Sequence, residues 1–95
     1  MKKTINAQNW TGEKIAYKKT SNGIELYDIK FRIEKLPTIN DIPELEQYKV
    51  TDEAGVSFEM DRWSENEPFM ASQNGVVREG YEVDEVAAAM VANLY

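Results

Sequence analysis

Residues 22–36, NGIELYDIKFRIEKL, decide the fold that the sequence predicts. The segment opens on Asn22-Gly23, a dipeptide typical of tight hairpin turns, and continues as a long strand-like run. In its second half, three apolar residues alternate with three charged ones: Ile29, Phe31 and Ile33 with Lys30, Arg32 and Glu34. A period of two places the apolar side chains on one face of a strand and the charged ones on the other. We therefore expect this segment to be the central strand of an antiparallel sheet, with neighbours on both sides.

The first half of this segment has the opposite parity. Ile24 and Leu26 are at even positions, whereas the apolar residues of the second half are at odd positions. A β-bulge near Tyr27-Asp28 would return all of them to one face, because a bulge inserts one extra residue into a strand. The alternative is that both faces of the strand are covered at this point. We take the bulge as the simpler interpretation.

Three hairpins account for the other strands. The predicted strands are residues 13–20 before the turn at residues 21–23, residues 48–51 and 56–61 around the turn at residues 52–55, and residues 69–73 and 76–79 around Asn74-Gly75. Residues 37–47 contain two prolines and predict a loop with at most a two-turn helix at residues 43–47. Residues 63–68 predict a second loop. For residues 1–9 a short helix and a frayed end both remain open.

Residues 82–93 have the periodicity of a helix. Apolar side chains recur at three- and four-residue spacing: Val83, Val86, Ala87, Met90, Val91 and Leu94. Three acids near its start favour the helix dipole by about 0.3–1 kcal/mol each. The apolar stripe predicts a helix packed across one face of the sheet. We therefore expect one α+β domain over residues 1–95, with an antiparallel sheet of about five or six short strands and one C-terminal helix.

Composition excludes several kinds of chemistry. The chain contains no cysteine and no histidine, so disulfides, thiol nucleophiles and imidazole bases are absent from it. Its glycines are isolated and form no phosphate-binding loop. We expect no catalytic residues, no cofactor and no bound metal. The lysines at the start precede no apolar run, and no run approaches the ~20 residues of a membrane helix, so we expect a cytoplasmic protein.

Charge is distributed unevenly along the chain. Residues 1–36 contain eight Lys or Arg against four acids (+4), and residues 37–95 contain three against thirteen (−10), which gives the net charge of −6. On a strand, Glu59 and Asp61 stand about 6.8 Å apart, two steps of the ~3.4 Å charge spacing along one strand of duplex DNA. Such a surface could occupy the cationic groove of a nucleic-acid-binding protein. The alternative is a solvated acidic face that keeps the protein soluble.

The candidate partner-binding residues lie in the acidic part of the chain: Asp52, Glu53, Glu59, Asp61, Trp63, Glu65 and Glu67. If the strand of residues 56–61 continued, Trp63 would share its polar face, and tryptophan is enriched among interface hot spots. The alternative is that the chain bends at Arg62 and Trp63 closes the end of the core. The basic residues of the first 36 positions are expected to pair with acids across strands and not to bind nucleic acid.

Small acidic domains without cysteine resemble the anti-defence proteins of bacteriophages, such as anti-CRISPR and anti-restriction inhibitors. The resemblance is one of size and charge, and it assigns no residue a role. It implies a non-catalytic inhibitor or adaptor whose acidic surface docks on a basic, nucleic-acid-binding surface of a partner protein, without direct contact with nucleic acid or membrane. A second hypothesis is a small phage or prophage assembly subunit that self-associates, for example as a homodimer. A third is a small enzyme that uses carboxylates.

Overall fold

The computed structural model of the chain describes residues 4–8 and 14–94. Eight strands lie in one sheet in chain order, each antiparallel to the next. They are β1 (Thr4–Gln8), β2 (Lys14–Lys19), β3 (Gly23–Leu26), β4 (Ile29–Lys35), β5 (Glu46–Asp52), β6 (Ser57–Arg62), β7 (Phe69–Gln73) and β8 (Val76–Gly80), and one helix follows them, α1 (Val83–Leu94). The predicted α+β class is confirmed. The predicted number of strands, about five or six, is too small, because β2–β8 by themselves are seven strands.

The segment of residues 22–36 is a hairpin, which corrects the prediction of one bulged strand. Its halves are β3 and β4, and Leu26 lies directly opposite Ile29. The two residues between them, Tyr27 and Asp28, have φ angles of 55° and 61°, as a type I′ turn requires. Residues paired across a two-residue turn point to the same face of the sheet. The change of parity in the sequence therefore marks a reversal of the chain.

The other three hairpins are confirmed. The turn between β2 and β3 is closed by a hydrogen bond of 2.9 Å from the Thr20 N–H to the Gly23 carbonyl oxygen. The turn between β5 and β6 follows Asp52; β5 is longer than predicted, and β6 has the predicted length but begins and ends one residue later. Between β7 and β8, Asn74 and Gly75 both have positive φ, so this turn has the conformation that Asn-Gly favours.

The loop predicted for residues 37–47 is confirmed up to residue 45, but the short helix that the sequence allowed at residues 43–47 does not form. Residues 36–45 form a loop, and β5 begins at Glu46. Glu46 lies directly opposite Arg62 in β6 and forms an ion pair with it. Pairing with β4 and β6 thus outweighs the weak local helix preference of this segment.

Helix α1 lies inside the curve of the sheet. It contacts β1, β2 and β3 on one side and β7 and β8 on the other, so the sheet curls around it. The predicted helix is confirmed, but the predicted apolar stripe leaves Ala88 and Ala89 on the opposite side. The structure buries them as well, with 0% and 3% of their surface exposed. A helix that is enclosed in this way must be apolar all round, and the alanines allow both halves of the sheet to approach it closely.

The core lines the concave face of the sheet, towards α1. Its most completely buried large side chains come from the sheet and from the helix: Phe31, Ile24, Met60, Met90, Val50, Val86 and Val91. The convex face carries charged residues in cross-strand rows, and in one of them Lys49 lies between Glu34 and Glu59. The predicted pairing of basic residues with acids across strands is found for Lys35 of β4 with Glu46 of β5. Arg32 pairs with Glu34 of its own strand.

Exchanging the sequences of the two type I′ turns should change stability in opposite directions. Tyr27→Asn with Asp28→Gly should raise the free energy of unfolding by about 1 kcal/mol, because non-glycine residues other than Asn are strained at positive φ. Asn74→Tyr with Gly75→Asp should lower it by a similar amount. Thermal unfolding followed by circular dichroism measures both, with about 4–8 °C expected for each kcal/mol. Shifts of the same sign would contradict the assignment of residues 27–28 as a type I′ turn.

Enlarging Ala88 tests the enclosure of α1. Ala88→Leu should lower the free energy of unfolding by about 1–3 kcal/mol, because a filled site cannot accept three more carbon atoms without displacement of its neighbours. Asn93→Leu, at an exposed position of the same helix, is the matched control and should stay within about 0.5 kcal/mol. If α1 lay flat on the sheet with Ala88 in solvent, the two variants would unfold at similar temperatures.

Candidate functional site

The two longest connections in the described part of the chain, residues 36–45 and 63–68, lie at one end of the sheet, and this end is rich in acids. This end, which we call the loop end, comprises four connections (residues 20–22, 36–45, 63–68 and 81–82), the strand residues that adjoin them and the first turn of α1. The opposite end has short turns at residues 27–28, 53–56 and 74–75. Eight carboxylates lie at the loop end against three cations: Asp41, Glu44, Glu46, Glu65, Glu67, Glu82, Asp84 and Glu85 against Lys19, Lys35 and Arg62. The loop end therefore carries a formal charge of −5.

Arg62 is held at the loop end by three contacts. Its guanidinium forms an ion pair with Glu46, lies 4.4 Å from the centre of the Phe69 ring and donates a hydrogen bond of 3.4 Å to the Glu65 carbonyl oxygen. Lys35 Nζ approaches the second carboxylate oxygen of Glu46 at 3.9 Å. Because Arg62 contacts residues of β5, β7 and the following loop, it fixes their relative positions at this end of the sheet.

Two ion pairs shift pKa values in the direction that stabilises the charges. The hydrogen bond from Arg62 lowers the pKa of Glu46, partial burial opposes this, and the charges of Arg62 and Lys35 add to the lowering. Lys19 Nζ lies 2.9 Å from the Asp84 carboxylate, and this hydrogen bond raises the pKa of Lys19. The first pair joins β5 to β6, and the second joins β2 to the start of α1.

Tyr17 lies beneath the start of α1 and is 3% exposed. Burial raises its pKa to about 12, and the negative charges of Asp84, Glu85 and Glu82 add to this. The phenol is therefore neutral at physiological pH. It acts as part of the core and carries no charge of its own to offset the acids of the helix.

Two cavities open at the loop end, on either side of Arg62. The larger, of about 510 Å³, lies between residues 36–45 and residues 63–68 and is lined by Glu44, Glu46 and Glu65 among others; we call it the loop cleft. The smaller, of about 300 Å³, lies towards the start of α1. Both are within the range of about 300–1,000 Å³ that is usual for binding pockets.

The seven predicted binding residues do not form one patch, and two of them stabilise turns at the opposite end. Asp52 Oδ1 accepts hydrogen bonds of 2.9 Å from the N–H groups of Ala54 and Val56. Glu53 Oε1 accepts one of 3.2 Å from the Lys30 N–H. Both carboxylates therefore have structural partners within their own chain, far from the loop end.

Two more of the predicted residues, Glu59 and Asp61, lie on the convex face of β6. Lys49 lies directly opposite Glu59 on β5, and Gln47 lies opposite Asp61. The alternation predicted for this strand is correct, since Phe58 and Met60 between them are buried. Lys49 lies between Glu34 and Glu59, so the surface around Glu59 is not uniformly acidic, whereas the neighbours of Asp61 on the adjacent strands, Gln47 and Met70, are uncharged.

The remaining three residues, Trp63, Glu65 and Glu67, do lie together in the loop of residues 63–68 at the loop end. Trp63 is 54% exposed, so the alternative that it closes the core is wrong. Tyr81, which the sequence did not single out, is 64% exposed at the same end. Glu44 and Glu46 were also missed, because only the register of β4, β5 and β6 brings them beside Glu65.

The Glu46–Arg62 pair should make stability depend on pH below the ordinary pKa of a glutamate. Because the pKa of Glu46 is lower in the folded protein than in the unfolded chain, its ionised form stabilises the fold at pH values above the unfolded pKa. This contribution is lost as the pH falls through the folded-state pKa. Thermal unfolding at a series of pH values from about 7 to about 3 should therefore show a smaller loss of stability in Glu46→Gln than in the unmodified protein. Glu59→Gln, which removes a carboxylate that forms no ion pair within the described residues, is the control. Parallel curves for Glu46→Gln and the unmodified protein would contradict the assignment.

Comparison with known proteins adds no family to this geometry: no protein-family model, no curated protein and no solved structure matches the chain. Over the residues that the structure describes, no group of three or more acids is placed to hold a metal ion. Within the same residues, α1 is too short and too polar at its start to cross a bilayer. The loop end is thus characterised by its own residues: a concentration of negative charge, two exposed aromatic side chains and a polar cleft.

Proposed function

We propose that this protein is a non-catalytic binding protein whose loop end docks on a basic surface of a partner protein, of the kind that ordinarily binds nucleic acid. The observation that carries the proposal is the coincidence of eight carboxylates against three cations with two exposed aromatic residues, Trp63 and Tyr81, at one end of the molecule. A protein that occupies such a surface excludes the nucleic acid from it. The proposed activity is therefore inhibition of a nucleic-acid-binding protein, as in the phage anti-defence class.

Charge and aromatic side chains contribute to docking in different ways. Uncompensated carboxylates attract a basic surface over a distance of about a Debye length, 8 Å at physiological salt, and raise the rate of association. Exposed Trp and Tyr side chains then supply buried contact area at low cost in conformational entropy. Trp63 is in the same loop as Glu65 and Glu67, so both contributions come from one short segment.

The convex face is a weaker candidate for the same role. It carries Glu59 and Asp61, but Lys49 lies between Glu59 and Glu34 and compensates part of this charge. Carboxylates with a cation opposite them on the next strand attract a basic partner less strongly. The loop end is therefore the better-supported docking surface.

Two double charge-reversal variants with the same change in net charge should show whether the partner binds the loop end or the convex face. A pull-down from bacterial lysate identifies a retained basic protein, and its dissociation constant is then measured with purified components. Glu65→Lys with Glu67→Lys should weaken binding by about tenfold or more. The control, Glu59→Lys with Asp61→Lys, should change it by less than about threefold. Trp63→Ala, which changes no charge, should also weaken partner binding, chiefly by faster dissociation of the complex.

The same binding measurement is repeated at different salt concentrations and with nucleic acid as a competitor. The affinity should fall steeply between about 100 and 400 mM NaCl, and a nucleic acid that the partner binds should displace the protein. Equal losses in the two charge-reversed variants would indicate that only net charge matters and would contradict docking through the loop end. An affinity that did not change with salt would contradict the role of charge altogether. A defined oligomer in sedimentation, with no partner retained, would favour self-assembly instead.

A further inference from the structure

The chain contains two Asn-Gly dipeptides, Asn22-Gly23 and Asn74-Gly75, and the fold places them in different surroundings. Asparagine deamidates most readily before glycine, because glycine has no side chain to hinder approach to its own backbone nitrogen. In this reaction the glycine nitrogen attacks the side-chain amide carbon of the asparagine, so the peptide unit between the two residues must rotate. A fold that holds one of these peptide units and leaves the other able to rotate therefore makes the two sites differ in reactivity.

The sheet holds the peptide unit between Asn22 and Gly23. Its carbonyl oxygen accepts a hydrogen bond of 2.9 Å from the Ile33 N–H, and Gly23 begins β3 directly opposite Arg32. Gly23 is buried, and a Cβ atom at this position would overlap the Phe31 carbonyl oxygen. Rotation of this peptide unit would break the hydrogen bond and disturb the close pairing of β3 with β4. The fold therefore opposes attack on the Asn22 side chain.

The peptide unit between Asn74 and Gly75 lies at the tip of the hairpin of β7 and β8, without such restraints. Both residues are exposed, and no hydrogen bond joins this peptide unit to any other of the described residues. A Cβ atom on Gly75 would meet nothing within 4 Å. This peptide unit can therefore rotate without breaking a hydrogen bond of its own and without displacing a neighbour.

We propose that Asn74 is a site of spontaneous deamidation and that the fold protects Asn22, which has the same neighbour, from this reaction. The Gly75 nitrogen loses its proton to hydroxide and attacks Cγ of Asn74. A carbon–nitrogen bond forms, and the side-chain nitrogen leaves as ammonia with a proton taken from water. Water then opens the cyclic imide at either of its two carbonyl groups. The products are aspartate and isoaspartate, and the net reaction consumes one water and releases one ammonia.

The reaction changes both the charge and the backbone of the turn. Either product adds one negative charge, and isoaspartate also adds a methylene group to the main chain. A two-residue turn sets the register of the strands that it joins, so isoaspartate distorts the pairing of Gln73 with Val76 that closes this hairpin. Because β7 and β8 both contact α1, the hairpin loosens from the helix as the protein ages. Asn74 lies at the opposite end of the sheet from the loop end, so this modification is separate from the proposed docking.

Mass spectrometry of proteolytic peptides compares the two sites within the same molecule. The folded protein is kept at mildly alkaline pH, and the peptides that contain Asn22 and Asn74 are analysed at intervals. Deamidation should be at least about tenfold faster at Asn74, since the cost of breaking one backbone hydrogen bond slows a step by about that factor. The same chain in concentrated urea is the matched control, and there the two rates should become similar. Equal rates in the folded protein, a faster reaction at Asn22, or no reaction at either site would each overturn the proposal.

The structural consequence is tested with the purified products. Asn74→Asp has the charge of the product without the added methylene group and should unfold within about 2 °C of the unmodified protein. The fraction that contains isoaspartate should unfold about 5 °C lower or more, and its β8 amides should exchange hydrogen faster. Equal unfolding temperatures for the two products would contradict the loosening of the hairpin. A faster reaction at Asn74 that persisted in urea would contradict protection by the fold, because the difference would then come from the local sequence.

Discussion

The enclosure of α1 is the constraint on which the rest of the structure depends. Residues 86–91 of the helix have no side in contact with solvent, so strands from both halves of the sheet must reach it. The sheet meets this requirement by curling, and the antiparallel order of its strands places the longer connections at the same end as the start of the helix. Lys19 reaches Asp84 from β2 for the same reason. The loop end is therefore a consequence of how the helix is buried.

The turns show how much of the fold is predictable from local sequence. Asn74-Gly75 and Tyr27-Asp28 have the same type I′ conformation, but only the first has the residues that favour it. The second forms because β3 and β4 bury apolar residues on one face when paired, and this burial outweighs the strain of positive φ. The parity change in residues 22–36 was visible in the sequence, and a reversal of the chain explains it as simply as a bulge does. The hydrophobic pattern located the apolar segments that form β2–β8, but turn residues alone did not give the number of strands. Neither alternative considered for residues 1–9, a short helix or a frayed end, is correct, since Thr4–Gln8 form β1.

The candidate site was less predictable, because acidity along the chain does not show which carboxylates the fold itself uses. Asp52 and Glu53 are next to each other in the acidic segment, and the structure uses both to hold turns and neighbouring backbone. Glu46 pairs with Arg62, sixteen residues away, and that contact follows only from the register of β5 against β6. Trp63, Glu65 and Glu67 were correctly grouped because they lie in one loop. The part of the site that is local in sequence could be predicted, and the part that depends on strand register could not.

The acids at the loop end that the fold does not use provide the last argument for a binding role. Glu46 and Asp84 are held in ion pairs, and Glu82, Asp84 and Glu85 favour the positive end of the helix dipole. The loop carboxylates have no such function, yet their cost is small: two charges 7 Å apart repel by about 0.6 kcal/mol in water, and salt reduces this further. Solubility would be served equally well by acids spread over the whole surface. Their concentration beside two exposed aromatic side chains and a cleft supports the proposed contact with a cationic partner.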